Sequence, residues 1–314
     1  MSEPVAVVGA GVAGLLAARR LQHAGQGVVV LEAGDRAGGR LATARIGAAV
    51  FDTGAQFVTV RSEPFRLLMT GWLHDGLAYE WCRGFDQPPV QPDGHPRYAA
   101  TGGMANLAAA MATGLDVRYR SRVTAITPGG RIHLDDGSYR DAPAVLLTPP
   151  APLSRALLPD APLPDPLFEP TLAVLAQLDH PSGVPEPGGV QLDAGPFSFI
   201  ADNQRKGISP VPAVTLHASS ARSIELWDEP DDRVLATLLE QARPWLNHQA
   251  PARAELRRWR YARPTALHPE RVLLADYATY GTPIAFAGDA FGEPRVEGAA
   301  RSGWAAADAL LRVL

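Results

Sequence analysis

Apolar positions along the chain fall into short unbroken runs alternating with helical stripes. Residues 4–8 (P-V-A-V-V) form a run that stops at Gly9, and residues 13–23 carry Leu15, Leu16, Ala18 and Leu21 at helical spacing. A second run, 27–31, follows and ends at Glu32. Short apolar runs separated by a helix predict parallel strands buried on both faces. Residues 102–111 read as a helix, 117–126 as a strand, and 131–134 followed by D-D-G-S as the start of a hairpin. A strand at 145–147 runs into T-P-P-A-P, a proline cluster expected to mark the crossing into a second domain. There, strands are expected at 172–178, 197–201, 213–218 and 255–261, a helix at 231–245, and a proline- and glycine-rich loop at 181–189. The chain closes with an apolar strand at 283–287 and a helix of small residues at 298–311.

Length and charge narrow the class. The 314 residues allow about two domains at roughly 150 residues each, and 46% hydrophobic residues can build a sizeable core. The formal charge is −4, from 29 basic and 33 acidic residues, with no long run of one sign. A nucleic-acid or polybasic membrane surface is therefore not expected, and the partner is read as a small molecule. The single cysteine, Cys82, rules out an internal disulfide framework and fits a reducing, cytoplasmic setting. No signal peptide or membrane span is expected, because the early apolar stretch is broken by glycines and no apolar window of about 18 residues is free of charge. The eight histidines show no metal-ligand spacing, so no metal site is expected. Lys206 is the sole lysine.

The first strand and helix are joined by Gly9-Ala10-Gly11-Val12-Ala13-Gly14. In such a turn the first glycine permits the bend, the second lets backbone approach a pyrophosphate, and the third packs helix on strand. The helix start then faces the phosphates. Glu32, at the end of the next strand, can take both hydroxyls of an adenosine ribose, and it would repel a ribose phosphate; NAD or FAD is favoured over NADP. After it comes A-G-D-R-A-G-G-R, whose Gly38-Gly39 pair and Arg40 resemble the second glycine pair and arginine of flavoproteins related to glutathione reductase and the amine oxidases. A guanidinium at Arg40 would neutralise phosphate by a planar fork.

A more specific resemblance begins at F-D-T-G-A-Q-F-V-T (51–59) and continues through T-G-G-M-A-N-L-A (101–108), R-V-T-A-I (122–126), F-I-A-D-N-Q-R-K (199–206), W-R-Y-A-R-P (259–264) and A-F-A-G-D-A-F (285–291). In this order, over nearly the whole chain, these stretches resemble the renalase-like flavoproteins within the amine oxidase superfamily. The resemblance implies non-covalent FAD and an α/β fold: an FAD-binding, doubly wound domain of residues 1–60, 97–150 and 270–314, and a mixed-sheet substrate domain of 61–96 and 151–269. It assigns Gly9, Gly11, Ala13, Gly14, Glu32, Ala33, Gly39, Arg40, Gln56, Phe57, Val123, Gly288, Asp289, Glu297, Gly298 and Ala299 to the cofactor. Asp289 would meet its ribityl or pyrophosphate part, and the start of the last helix its pyrimidine side.

The activity implied is hydride transfer from aberrant dihydro isomers of NAD(P) to FAD, with oxygen reduced to hydrogen peroxide, in a monomer. No catalytic acid or base is required, because the dihydropyridine nitrogen expels the hydride and the flavin accepts it. Candidate donor contacts are Asn203, His217, Trp259 and Tyr261, with Trp259 and Tyr261 facing inward and Arg258 and Arg260 either solvated or on a substrate phosphate. A flavin amine oxidase or desaturase is the alternative. It loses support because Pro294, Arg295 and Val296 supply no aromatic ring before Glu297-Gly298, and because Lys206 lies in a loop beyond a strand. A non-catalytic FAD-binding redox module is the third reading.

Overall fold

The computed structural model describes residues 3–85, 94–163, 167–275 and 277–314. Packing divides the chain into two compact units: Met1–Gly39, Ala108–Leu167 and Arg263–Leu314 form the first, and Arg40–Leu107 with Phe168–Ala262 the second.

The first unit is built on β1 (Val5–Val8), β2 (Val28–Leu31), β7 (Asp116–Arg118), β11 (Val145–Leu147), β17 (Leu273–Ala275) and β18 (Ile284–Phe286), in the order β17-β18-β11-β1-β2-β7. The four pairings from β18 to β7 are parallel, while β17 is antiparallel at the edge. Every residue of β1, β11 and β18 is buried, which is why these strands are continuous apolar runs without alternation. At the other edge, β7 exposes both of its ends. A small sheet of β8 (Val123–Thr127), β9 (Arg131–Leu134) and β10 (Tyr139–Asp141) stands beside it, with Gly137 turning the β9–β10 hairpin. The run expected as one strand over 117–126 is thus two strands, because Arg120 takes a φ of 52° and bends the chain between them.

Helices α1 (Val12–His23), α4 (Ala151–Leu157), α7 (Tyr277–Tyr280) and α8 (Arg295–Leu311) belong to this unit. The proline cluster at 149–152 opens α4 and does not take the chain out of the unit, since proline suits a first helical turn. Helices α1 and α8 pack backbone against backbone: a Cβ on Gly303 would lie 2.2 Å from the Ala13 carbonyl oxygen. Arg20 and Asp308 pair across the same seam at 2.6 Å.

The second unit holds a five-stranded sheet, β13-β14-β15-β12-β16, formed by β12 (Phe168–Gln177), β13 (Gly189–Gln191), β14 (Phe197–Asp202), β15 (Ala213–Ala218) and β16 (Arg253–Pro264). Pairings from β13 to β12 are antiparallel. Period-two alternation sorts its residues. Leu172, Val174 and Ala176 of β12 with Val214 and Leu216 of β15 face α5 (Ser220–Glu225) and α6 (Asp231–Ala242), whose Val234 and Leu238 complete a core. Helix α6 stops short of the expected residue 245: Arg243 still has helical backbone, but Pro244 has no N–H with which to continue the hydrogen-bond ladder.

The opposite face receives the hairpin of β3 (Thr43–Ile46) and β4 (Ala49–Asp52), where Ile46, Ala49 and Phe51 pack on Leu175 and Ala213. That packing groups residues 40–60 with this unit. The remaining elements are α2 (Glu63–His74), the hairpin β5 (Ala78–Cys82) and β6 (Arg97–Ala100), and α3 (Ala105–Ala112), within which the division between units falls. Helix α3 begins later than the expected residue 102, since Gly102 and Gly103 adopt φ of 73° and 115°.

The seam between α1 and α8 has a direct test. Gly303→Ala should cost about 1–3 kcal/mol through overpacking against the Ala13 carbonyl. By contrast Gly71→Ala, in the exposed interior of α2 with open space around the new methyl, should gain about 1 kcal/mol from helix propensity. Thermal unfolding of the two variants should shift in opposite directions.

Candidate active site

Within the first unit, the carboxyl ends of β1 and β2 meet the amino end of α1 where the strand order reverses between β11 and β2. Gly9 turns with a φ of 100°, and a Cβ on Gly14 would lie 2.0 Å from the Gly9 carbonyl oxygen, so the helix sits directly on the strand end. Gly11 is the N-cap of α1, makes no side-chain cap, has no atom within 4 Å of where a Cβ would be, and is followed by no acidic residue in the first turn. Uncapped amides at a helix start, in open space, suit an anion. Ala13 is buried in the same turn.

Glu32 is fixed as an acceptor. One carboxylate oxygen takes the Ala10 N–H at 2.8 Å and the other the Gly34 N–H at 2.7 Å. A carboxylate has about four acceptor positions, so these two bonds orient it and leave capacity for ribose hydroxyls. Ala33 is exposed beside it; Gly39 lies close to Gly11, and Gly38 donates to the Ala10 carbonyl at 2.9 Å. Val123 is buried at the start of β8. After β18, the Gly288 N–H is held by the Ser302 hydroxyl of α8 at 2.9 Å, and Asp289 is buried just beyond. Glu297 is buried in the first turn of α8, where a carboxylate favours the helix dipole, with Gly298 and Ala299 following. Residues expected at the cofactor from three separate parts of the sequence thus belong to one unit.

The remaining expected residues lie in the second unit, around a feature that the sequence reading missed. Lys206 sits in the turn after β14, as anticipated, but its side chain is fully buried and its Nζ lies 2.7 Å from Asp52 Oδ2. The other oxygen of Asp52 accepts the Thr43 hydroxyl and the Met104 N–H, each at 2.7 Å. Gln56 spends its side chain on the Asp52 and Gly54 carbonyls at 2.7 and 3.0 Å and accepts from Lys206 at 3.4 Å. The Lys206 ammonium also lies 5.2 Å from the centre of the Trp81 ring. Burial holds its pKa below the ordinary lysine range, although Asp52 pulls the other way. Tyr79 donates to the Lys206 carbonyl, and burial, reinforced by the Asp52 charge, pushes its phenol up to about 12. Nothing local in D-N-Q-R-K-G reveals this: the partner carboxylate is 154 residues away.

Asn203, expected to meet a donor, is fully buried, bonded to Thr215 Oγ1 at 2.9 Å, the Ala213 carbonyl at 3.3 Å and the Asp52 N–H at 3.4 Å. It joins strands and has no face left for a substrate. His217 and Trp259 converge on one atom, the Thr53 carbonyl oxygen, at 3.1 and 2.9 Å. Burial lowers the His217 pKa to about 4, so the ring is neutral at pH 7. Tyr261 stands edge-on to Phe168, with ring centres 5.6 Å apart. Arg258 pairs with Asp231 at 2.7 Å, and both Arg258 and Arg260 lie over Trp227, on the helix-covered side of β16. Arg258 is therefore tied to its own unit and is not waiting for a phosphate. Arg40 gives one guanidinium nitrogen to the Tyr261 and Ala262 carbonyls at 3.3 and 3.1 Å. Phe57 joins an aromatic cluster with Phe85 and Phe199 at 5.5 and 5.8 Å, partly open beside Trp81.

A doubly wound unit with a glycine turn, an uncapped helix start and an oriented acid at the second strand defines an adenine-dinucleotide-binding protein. The model of the family described as "Flavin containing amine oxidoreductase" matches residues 12–77 and 81–311, and the chain belongs to that family. Putrescine oxidase of Kocuria rosea is 40% identical over 101 residues, 32% of this chain and 20% of that protein. The curated relatives are thus matched over a tenth to a fifth of their own length. Among solved structures, "Putative protoporphyrinogen oxidase" from Exiguobacterium sp. 255-15 superposes with a TM-score of 0.76 at 15% identity over all of both chains. A wild-type putrescine oxidase bound to putrescine does so with a TM-score of 0.72 at 18% identity over 99% of each. These likenesses are of fold. The cofactor is FAD, and the open helix start and the twice-anchored Glu32 fit its pyrophosphate and ribose.

Two outcomes follow from this geometry. Replacing Glu32 by alanine removes an acceptor whose two ribose bonds are each worth about 1.5–3 kcal/mol, so titration of the apoprotein with FAD should show affinity weaker by roughly a hundredfold or more. Lys206→Met leaves the Asp52 carboxylate buried without its cation and should cost about 3–5 kcal/mol of unfolding free energy. The double variant with Asp52→Asn should recover much of that loss in denaturant titrations.

Proposed function

We propose that this FAD-dependent oxidoreductase oxidises a dihydronicotinamide, in the manner of renalase-like enzymes. Bound FAD would accept the hydride at its ring and pass both electrons to oxygen, giving hydrogen peroxide. The observation that carries the reading is the commitment of the ionisable groups on the site face of the second unit. Lys206 is held by Asp52, Asp52 by three donors, and neutral His217 donates to Thr53. Lys206 and Asp52 are committed to each other, and burial lowers the His217 pKa to about 4, so none is a strong base. A dihydropyridine needs none, because its ring nitrogen supplies the electron pair as the carbon–hydrogen bond breaks and the ring becomes aromatic. The protein's part is then to bind and align the donor and to keep water away.

Oxidation of an amine is the second reading, and a specific observation favours it. Lys206 is buried within the unit and not at its periphery, which removes one sequence-based argument against an amine oxidase. Against it, Pro294, Arg295 and Val296 supply no aromatic ring before Glu297-Gly298.

The deciding measurement is anaerobic. The FAD-loaded protein is mixed separately with dihydronicotinamide isomers, ordinary NADH and simple amines while the visible flavin absorption is followed. Rapid bleaching by the isomers is expected. Bleaching by amines alone would replace this reading with the second, and bleaching by nothing would leave a non-catalytic redox module.

A further inference from the structure

Thr148 follows β11, the strand paired with β1 in the first unit, and its hydroxyl lies against the glycine turn. The Thr148 Oγ1–H faces two carbonyl oxygens, Val8 at 2.8 Å and Gly9 at 3.2 Å. The Val8 oxygen already receives the Thr148 N–H at 3.0 Å, whereas the Gly9 oxygen accepts, among the described residues, from Thr148 alone. Room for the hydroxyl comes from missing side chains: a Cβ on Gly9 would lie 2.7 Å from Thr148 Oγ1, and one on Gly14 would lie 2.9 Å from it. The two glycines thus make way for a hydroxyl from another strand.

The Gly9 carbonyl and the Ala10 N–H belong to one peptide, and in a trans peptide they point in opposite directions. The Ala10 N–H donates to Glu32 Oε2 at 2.8 Å. Holding the carbonyl on one side therefore aims the N–H on the other, and a donor on the oxygen polarises the amide and makes its N–H a stronger donor. The second bond to this carboxylate, from the Gly34 N–H, is local to the Glu32 loop. The Gly9–Ala10 peptide is what ties the carboxylate to the glycine turn.

We infer that Thr148 is a positioning residue for the dinucleotide: through the Gly9–Ala10 peptide it sets the direction of the Glu32 carboxylate, and so the strength with which that carboxylate holds the two adenosine ribose hydroxyls. Thr148 acts by way of one peptide and one side chain, without a bond of its own to the ribose. The inference rests on FAD as the cofactor and not on the donor that reduces it.

The test uses the full chain freed of FAD, as the parent, with Thr148→Ala, which removes the hydroxyl, and with Thr148→Ser, which restores it. Each is titrated calorimetrically with FAD, with ADP, and with dideoxy-ADP, which lacks both ribose hydroxyls. The alanine variant is expected to bind FAD and ADP roughly fivefold more weakly, the scale of a neutral hydrogen bond, and dideoxy-ADP as the parent does. Serine should return both affinities toward the parent. Parental FAD and ADP affinity in a folded alanine variant would overturn the inference. So would an equal weakening for dideoxy-ADP, which would make Thr148 a brace for the turn as a whole. Equal binding of ADP and dideoxy-ADP by the parent would overturn it as well, because Glu32 would then receive no ribose hydroxyl. Should the alanine variant fail to fold, Thr148→Cys, whose thiol is a weaker donor, carries the same readouts with a smaller loss.

Discussion

A carboxylate removed from water persists only when its charge is answered and its lone pairs are occupied, and the second unit is organised around that demand at Asp52. Its three donors come from Thr43, Met104 and Lys206, while its own carbonyl takes Gln56 and Thr215. The β3–β4 hairpin, the turn before α3, the turn after β14 and strand β15 are thereby fixed to one residue. Replacing such a pair by hydrophobic residues is often neutral or stabilising, so stability alone does not account for it. What the network secures is the course of residues 52–56, the segment whose Thr53 carbonyl receives the two ring donors.

The first unit follows a different economy, in which small residues let main chain approach main chain. Gly14 against Gly9, and Gly303 against Ala13, replace side-chain packing by backbone contact. Close approach leaves the amides at the start of α1 uncovered, and uncovered amides at a helix start suit the cofactor phosphates. Fold and cofactor cradle therefore follow from the same glycines. Structural likeness at 15–18% identity speaks to this architecture and not to a substrate.

Much of this was legible in the sequence. The glycine turn, the acid at the end of β2, the apolar runs of β1, β2, β11 and β18, and the small-residue face of α8 depend on neighbours a few positions apart, which periodicity and turn chemistry report directly. Strand β15 falls at 213–218, as read. The misses have more than one cause. The break at Arg120 carries no glycine or proline to announce it, and the burial of Lys206 depends on a carboxylate far away in sequence. Asn203 looked like a polar residue at a strand end, but the strand beside it consumes its hydrogen bonds. Long-range pairing of polar groups leaves no periodic trace, so polar residues near a site are the ones that a sequence misplaces.

The scarcity of lysine gives the protein an intrinsic reporter. Apart from the chain's amino terminus, Lys206 is the only primary amine in the molecule, and its side chain is wholly shielded. Acylating reagents that react with exposed amines have no lysine to modify while the second unit is closed. Covalent labelling at that position would therefore count opening events of this unit alone, one molecule at a time, against a background set by arginine, which such reagents pass over.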